Sequence, residues 1–216
     1  MPKHVDPDQR RSLVAEAVLD EILDRGIQSV TLGRIAQRTG LAIGSIRHFF
    51  ADFDEVLAFT FSVVVSRSRE RVADPMAERG ADPLDTIGAL LVCSAPGRVP
   101  HRENVAYLEY LMRARTVPHL RADILHTQAA AERIIADLVR VALVGTGADE
   151  DDIRLETTAI TAMLNGLALT DAYAADPLDE EDVRRIVARM VTRLRRAYPP
   201  TSPGRSAAQA RGLMGG

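Results

Sequence analysis

The chain contains no tryptophan, a single cysteine and few aromatic side chains, which make up 4% of its 216 residues. With Cys93 alone, no disulfide can form within the chain, and such sparse cysteine is typical of a reducing cytosol. No apolar run approaches the ~20 residues that cross a bilayer, and the first residues lack the apolar stretch of a signal peptide. These absences predict a cytoplasmic protein.

Alanine, leucine, valine and arginine are abundant instead, and they recur with the spacing of amphipathic helices. No segment shows the alternation of a half-buried strand, and proline and glycine separate the helical segments. The sequence therefore predicts an all-α fold of about nine helices, with a small group of three helices first and a larger helical body after them.

Acidic residues are also absent from residues 27–50, although the chain as a whole carries a net charge of -3. The same window contains Arg34, Arg38, Arg47 and His48, while acids precede and follow it. A carboxylate-free basic window indicates a surface that meets phosphates. Chance clustering over so short a window is the alternative interpretation.

The window has the pattern of a helix-turn-helix, in which one helix crosses the DNA backbone and the next enters the major groove. Gly40 is expected to form the turn, and Ser45, Arg47 and His48 are expected to point outward. The residues expected to pack the two helices together are Leu32, Ile35, Ala36, Leu41, Ile46 and Phe50.

Residues 24–57, DRGIQSVTLGRIAQRTGLAIGSIRHFFADFDEVL, resemble the N-terminal signature of the TetR family of bacterial transcriptional regulators. The resemblance implies a phosphate contact at Thr31 and base or phosphate contacts in the second helix of the pair. The predicted DNA-binding residues are Thr31, Arg34, Gly44, Ser45, Arg47 and His48.

Three positions depart from the family pattern. Arg47 stands where the family often has tyrosine, and an arginine can bind phosphate or a guanine edge. Gly33 removes a side chain that contacts DNA in many relatives, and Phe53 stands where a lysine frequently binds phosphate. Operator affinity is therefore expected to depend on the second helix of the pair.

The resemblance also implies the domain organisation. We expect a helix-turn-helix DNA-binding domain in residues 1–52, an effector-binding and dimerisation domain in residues 53–198 and a disordered tail in residues 199–216. The tail prediction follows from its many proline and glycine residues and few apolar ones.

An effector pocket is expected among the middle helices, where polar groups interrupt apolar stretches. The candidate ligand-binding residues are Cys93, Tyr107, Tyr110, Met112, His126 and Met163. For any single one of them, the rim of an ordinary core is the alternative. His119, Asp123 and His126 share a helix face and could bind a metal ion, but they span two turns and a solvated face is favoured, so no metal site is predicted.

The last two helices are expected to form the dimer interface, because small residues on one of them and an apolar stripe on the other suit close helix packing. A solvated face is favoured over a second nucleic-acid site for the arginines of the last helix. The predicted interface residues are Ala162, Gly166, Val183, Ile186, Val187, Met190, Val191 and Leu194. The alternative is that these stripes cover the protomer's own core.

These observations predict a dimeric repressor that a small, apolar or amphipathic molecule releases from a palindromic operator. No phosphate loop, nucleophile elbow or paired metal motif appears, so neither an enzyme nor a cofactor is expected. The alternative is an all-helical ligand-binding or interaction protein of the same fold that does not bind an operator.

Overall fold

The computed structural model describes residues 7–78, 82–174 and 178–200. Within these ranges the chain forms nine α-helices and one short 3₁₀ turn, Ile27–Ser29. The helices are α1 (Pro7–Arg25), α2 (Leu32–Thr39), α3 (Ile43–Phe49), α4 (Phe53–Ala77), α5 (Pro83–Cys93), α6 (His101–Ala114), α7 (Pro118–Ala142), α8 (Glu150–Tyr173) and α9 (Glu180–Ala197).

The all-α prediction is confirmed, since no strand occurs among the described residues. The fourth helix continues to Ala77 and holds Pro75 in its last turn. A proline so near a helix end removes a single backbone hydrogen bond, and this loss does not stop the helix. Residues 201–216 of the predicted tail lie outside the described residues. None of the described helices is long and apolar enough to cross a membrane.

Two separate clusters of buried side chains hold the helices together. The first joins α1, α2, α3, α4, α6 and the first turns of α7, and its most buried members include Leu19, Ile35, Ile46 and Leu57. We call it the first core. It continues from the helix-turn-helix into α4 and α6 without a break, so α1 to α3 do not pack as an isolated unit.

The second core joins α5, the later part of α7, α8 and α9. Gly88 of α5 lies against α9, where a Cβ atom would be 3.4 Å from Val191 and 3.6 Å from Val187. The small residue permits this close approach, and α9 therefore buries its apolar stripe against α5 of the same chain.

Candidate nucleic-acid interface

Helix α2 begins at a side-chain cap. Thr31 has an extended backbone, and its Oγ1 accepts a hydrogen bond from the Arg34 backbone N–H at 3.3 Å. The helix ends at Gly40, whose φ of 69° is a left-handed conformation that glycine adopts without strain. A side chain with a Cβ atom would be disfavoured at this turn. The sequence prediction of a turn at Gly40 is confirmed.

Helix α3 presents one exposed face. Ile46 is fully buried beneath it, whereas Arg47 and His48 are exposed and Ser45 is half-buried. Gly44 is exposed as well, and a Cβ atom there would meet nothing within 4 Å. We refer to Gly44, Ser45, Arg47 and His48 as the α3 face.

The packing predicted for the two helices is also confirmed. Ile35, Ile46 and Phe50 are buried in the first core. The other three predicted packing residues, Leu32, Ala36 and Leu41, are half-buried and pack against that core. The α3 face is therefore supported from beneath by a rigid apolar layer.

The arginines of α2 have contacts that the sequence did not reveal. Arg34 Nη1 lies 3.1 Å from Glu21 Oε1, and Arg38 Nε lies 2.7 Å from Glu21 Oε2. Arg38 also pairs with Asp24. The carboxylates that pair with the arginines of the acid-free window thus belong to α1. Arg38 therefore pairs with carboxylates of α1, and Arg34, one of the predicted DNA-binding residues, contacts one of them as well.

The junction between α3 and α4 is held by Arg11 of α1. The Arg11 guanidinium lies 4.9 Å from the centre of the Phe50 ring and 4.6 Å from that of Phe59, which are cation–π distances. Phe53 begins α4 and packs against the first core. An apolar residue at this position therefore contributes to the core where many relatives contact phosphate.

A second charged cluster joins α1 to the body. Glu103 of α6 is buried, and its carboxylate lies 2.9 Å from Arg67 and 3.0 Å from Arg71 of α4. Arg67 also contacts Glu16 of α1, and Glu16 in turn lies 2.5 Å from Arg102 of α6. Although burial raises the pKa of Glu16, hydrogen bonds and charge from Arg67 and Arg102 outweigh it and hold the pKa below its ordinary value. Helices α1, α4 and α6 are thus connected by ion pairs as well as by apolar contacts.

The predicted ligand-binding residues do not form one site. Tyr107 and Tyr110 lie together beside Phe61, whose ring stacks on that of Tyr110 with a centroid distance of 4.3 Å. Met163 packs against the second core instead, and Cys93 lies at the end of α5. Met112 and His126 are exposed.

A small cavity of about 10 Å³ lies next to this aromatic cluster, between α1, α4 and α6. It is lined by Leu19, Ile22, Leu57, Thr60, Phe61, Val64, Ala106 and Tyr110. The volume is near the minimum that one water molecule needs. An effector would therefore have to separate the packed rings in order to enter.

The Tyr110 hydroxyl is a buried polar group that has no hydrogen-bond partner. Burial raises the pKa of Tyr110, and the nearby charges of Asp123 and Asp54 raise it further. Burial also raises the pKa of Tyr107, although a hydrogen bond with Gln128 partly offsets the effect. Both hydroxyls therefore remain protonated, and that of Tyr110 is free to bind another group.

The histidine and aspartate group of α7 does not form a metal site. Among the described residues, no three histidine, cysteine or acidic side chains could hold one ion. His119 Nε2 instead lies 3.9 Å from Asp54 Oδ2 of α4. His126 is exposed one turn beyond Asp123, and this agrees with the solvated face that the spacing favoured.

The dimer residues divide into two groups. Val183, Val187 and Leu194 are buried in the second core, so their assignment to a dimer interface is wrong. Ile186, Met190 and Val191 are half-buried and pack against the same core. The error arose because the periodicity of a stripe reveals an apolar face but not the surface that covers it. Ala162 and Gly166 of α8 are exposed, and a Cβ atom at Gly166 would meet nothing within 4 Å.

The arginine-rich face of α9 is neutralised to a large extent. Arg184 pairs with Glu180, and Arg185 with Asp182. Arg193 contacts Glu156, and Arg195 contacts Asp82 and Asp85. These pairs agree with a solvated face and not with a second nucleic-acid site.

Sequence reasoning missed Glu21, Glu103 and Arg11. For Glu21, a signal was available in the sequence. It is an acidic residue on a helix face where its neighbours Val18 and Ile22 are apolar. Sequence reasoning also missed Asp171 of α8, a buried carboxylate that accepts a hydrogen bond from Asn104 at 2.9 Å and lies 3.1 Å from His101 Nδ1.

Comparison with known proteins identifies the class. A family model described as the C-terminal part of BetI-type transcriptional repressors matches residues 85–196, just over half of the chain. The chain belongs to the TetR family. It is therefore a DNA-binding transcriptional regulator, and this class is not enzymatic.

Individual relatives agree with this membership. The HTH-type regulator PksA of Bacillus subtilis (strain 168) is 27% identical over 192 residues, which cover 87% of this chain and 90% of PksA. Two solved structures share the TetR-like fold. A transcriptional regulator from Rhodococcus sp. Rha1 has a TM-score of 0.75 at 22% identity, covering 89% of this chain and 99% of its own. A regulator from Saccharomonospora viridis in complex with choline has a TM-score of 0.72 at 19% identity, covering 86% and 96%.

Proposed function

We propose that the protein is a homodimeric repressor that acts in the cytoplasm and leaves a palindromic operator when a small molecule binds. The observation that carries the proposal is the α3 face, in which Arg47 and His48 are exposed directly above the buried Ile46. Gly44 allows the backbone of α3 to approach a groove closely, since it has no side chain. Thr31 lies at the neighbouring start of α2, where its backbone N–H can meet a phosphate.

Operator reading requires a dimer. Half-sites lie one helical turn apart, ~34–36 Å, so two α3 helices must be held at that spacing. We assign the dimer contact to the exposed face of α8, which carries Leu155, Ala162, Gly166, Leu169 and Tyr173. These residues recur at helical spacing, and Leu155 and Leu169 are each 51% exposed. Ala162 and Gly166 permit the close approach of a second helix.

The operator proposal is tested by footprinting the DNA that surrounds the protein's own gene. We expect a protected inverted repeat. Arg47→Ala should weaken operator binding by about 1–3 kcal/mol if the guanidinium reads a guanine. Arg133→Ala is the matched control, because Arg133 is exposed on α7, far along the chain from α3. The absence of a protected repeat, together with equal affinity of the two variants, would contradict the proposal.

For the effector, we propose the junction of Phe61, Tyr107 and Tyr110. The buried and unpartnered Tyr110 hydroxyl supports the assignment, since an entering ligand can supply its missing partner. The neighbouring cavity also touches Leu19 and Ile22 of α1. A ligand that separates Phe61 from Tyr110 would displace α4 against α1 and change the spacing between the two α3 helices.

The effector proposal is tested by measuring ligand binding and operator release together. Choline is the first compound to examine because the Saccharomonospora viridis regulator holds it, and apolar and amphipathic compounds follow. Tyr110→Phe should leave the ligand-free protein as stable as before, since the lost hydroxyl has no partner. The same variant should weaken the binding of a compound that uses the hydroxyl. Tyr198→Phe is the control, because Tyr198 packs against the second core and does not line the proposed site. A compound that binds tightly without changing operator affinity would contradict the coupling.

A further inference from the structure

Glu21 is a buried carboxylate at the centre of the DNA-binding helices. Its side chain is 3% exposed, and its two oxygens face Arg34 at 3.1 Å and Arg38 at 2.7 Å. Arg25 lies 3.8 Å away, and the Ser29 hydroxyl donates a hydrogen bond at 3.3 Å. Every one of these partners comes from α1, α2 or the turn between them. The ion pairs of Glu21 with Arg34 and Arg38 therefore hold α2 against α1.

The arrangement changes the charge that DNA meets. The acid-free window contains Arg34, Arg38 and Arg47. Two of them donate to Glu21, and Arg38 also pairs with Asp24, whereas Arg47 is exposed on α3 and has no ion pair among the described residues. A guanidinium held against a carboxylate attracts phosphate weakly, because the two opposite charges lie close together and largely cancel at the distance of the DNA backbone.

We propose that Glu21 is a specificity-determining residue that withholds Arg34 and Arg38 from the DNA backbone. Phosphate contacts bind every sequence alike, whereas base contacts discriminate between sequences. By neutralising the arginines of α2, Glu21 reduces attraction to non-operator DNA and leaves recognition to the α3 face. It positions α2 as well, because its partners fix the two arginines against α1.

A second buried glutamate provides the matched control. Glu103 has a side chain that is 2% exposed, and it pairs with Arg67 and Arg71 at 2.9 and 3.0 Å. Its burial and its arginine partners therefore resemble those of Glu21, but it lies on α6 in the body of the protein. Glu103→Gln and Glu21→Gln both remove one buried negative charge. Only Glu21→Gln would free arginines that lie beside α3.

The test measures the binding of a mixed-sequence duplex without an operator over a range of salt concentrations. Each added phosphate contact increases the slope of log affinity against log salt by about 0.9. Glu21→Gln should steepen this slope by about 1–2 and tighten binding at low salt, whereas Glu103→Gln should leave the slope unchanged. Adding Arg34→Met to Glu21→Gln should remove about 0.9 of the gain, because Glu21 is the one carboxylate that Arg34 contacts among the described residues.

Glu21 would have a merely structural role if Glu21→Gln left the slope unchanged or made it shallower, and the proposal would then be wrong. If Glu21→Gln fails to fold, Arg34→Met in the native background decides the question. An unchanged slope means that Glu21 already withholds Arg34 from phosphate, and a slope shallower by about 0.9 overturns the proposal. The native protein's own binding to the duplex is measured first, so a general failure of DNA binding is recognised separately.

Discussion

The two cores of the protein differ in composition and in what they connect. All five phenylalanines of the chain belong to the first core or pack against it, and they bring together helices from both predicted domains. The second core is almost wholly aliphatic, and it joins helices of the body alone. The difference teaches that α1 to α3 depend on α4 and α6 for their burial, whereas α8 retains an exposed face, which we propose as the contact with a second copy.

The largest expected effect compares one leucine from each core. Leu57 and Leu91 are each 1% exposed, in the first and second core respectively. Truncating either to alanine should reduce the free energy of unfolding by about 2–5 kcal/mol, because the change leaves a cavity. Under conditions in which both variants are folded, Leu57→Ala should also weaken operator binding. Leu91→Ala should bind as the native protein does.

Chemical denaturation gives the stabilities, and titration with operator DNA gives the affinities. The comparison between the cores would break down if Leu91→Ala weakened DNA binding as much as Leu57→Ala. The two cores would then act as one cooperative unit, and the packing of the helix-turn-helix against α4 and α6 would have no special importance.

The next effect concerns the free face of α8. Ala162→Glu places like charges opposite each other in the proposed dimer, and this arrangement is expected to raise the dimer dissociation constant by ~100-fold or more. Protomer stability should remain unchanged, because Ala162 is exposed. Sedimentation at micromolar concentration should detect monomers.

Val144→Glu is the control, since Val144 is 76% exposed and lies outside α8. It should leave the dimer intact. A dimer that survives Ala162→Glu but not Val144→Glu would move the interface from α8 to the end of α7.

These contrasts also explain how much of the molecule the sequence could predict. The turn at Gly40 and the inward side of α2 and α3 depend on residues close together in the chain, so local patterns were sufficient. The burial of Val187 depends on Gly88, which lies 99 positions earlier, and no helical periodicity indicates that pairing. The partner of Arg34 is Glu21 on another helix, and a count of charges within a window missed it.

The predicted effector residues are divided between the two cores for the same reason. Tyr107 and Tyr110 are one turn apart and were found together, but Phe61 comes from α4 and was absent from the predicted set. Met163 and Cys93 belong to helices of the second core. Composition identified polar groups in apolar helices, whereas the packing of those helices decides which groups meet.

A smaller effect is expected at the helix caps, one from each part of the molecule. Thr31 caps α2, and Asp149 caps α8 within a capping box. Replacing either by alanine should destabilise the protein by about 1 kcal/mol, because a backbone N–H loses its acceptor. Thr31→Ala should in addition weaken operator binding, whereas Asp149→Ala should not. Thr31→Ser should restore both properties, and a failure to restore them would show that the methyl group, not the hydroxyl, is required.

The smallest expected effects concern the dependence of the free energy of unfolding on pH, at acid pH beside the first core and at alkaline pH beside the second. The pKa of Glu16 lies below its ordinary value of 4.5, so its ion pairs stabilise the folded chain above that pH. The contribution is lost as the pH falls through the lowered pKa. Glu16→Gln should flatten the acid limb of stability against pH, by less than ~1 kcal/mol because the group is partly solvated.

Beside the second core, Tyr198 should make the stability of the protein depend on pH at alkaline values. Burial and the charges of Glu156 and Asp152 raise the pKa of Tyr198 to about 12 from an ordinary 10. The unfolded chain therefore loses this proton before the folded chain does, so the stabilising contribution is complete below pH 10 and is lost as the pH rises through 12. Tyr198→Phe should therefore weaken the dependence of stability on pH above pH 10, as measured by denaturant unfolding. If the free energy of unfolding fell equally with rising pH in the native protein and in Tyr198→Phe, the Tyr198 hydroxyl would be solvated. It would then not stabilise the packing of α9 against α8.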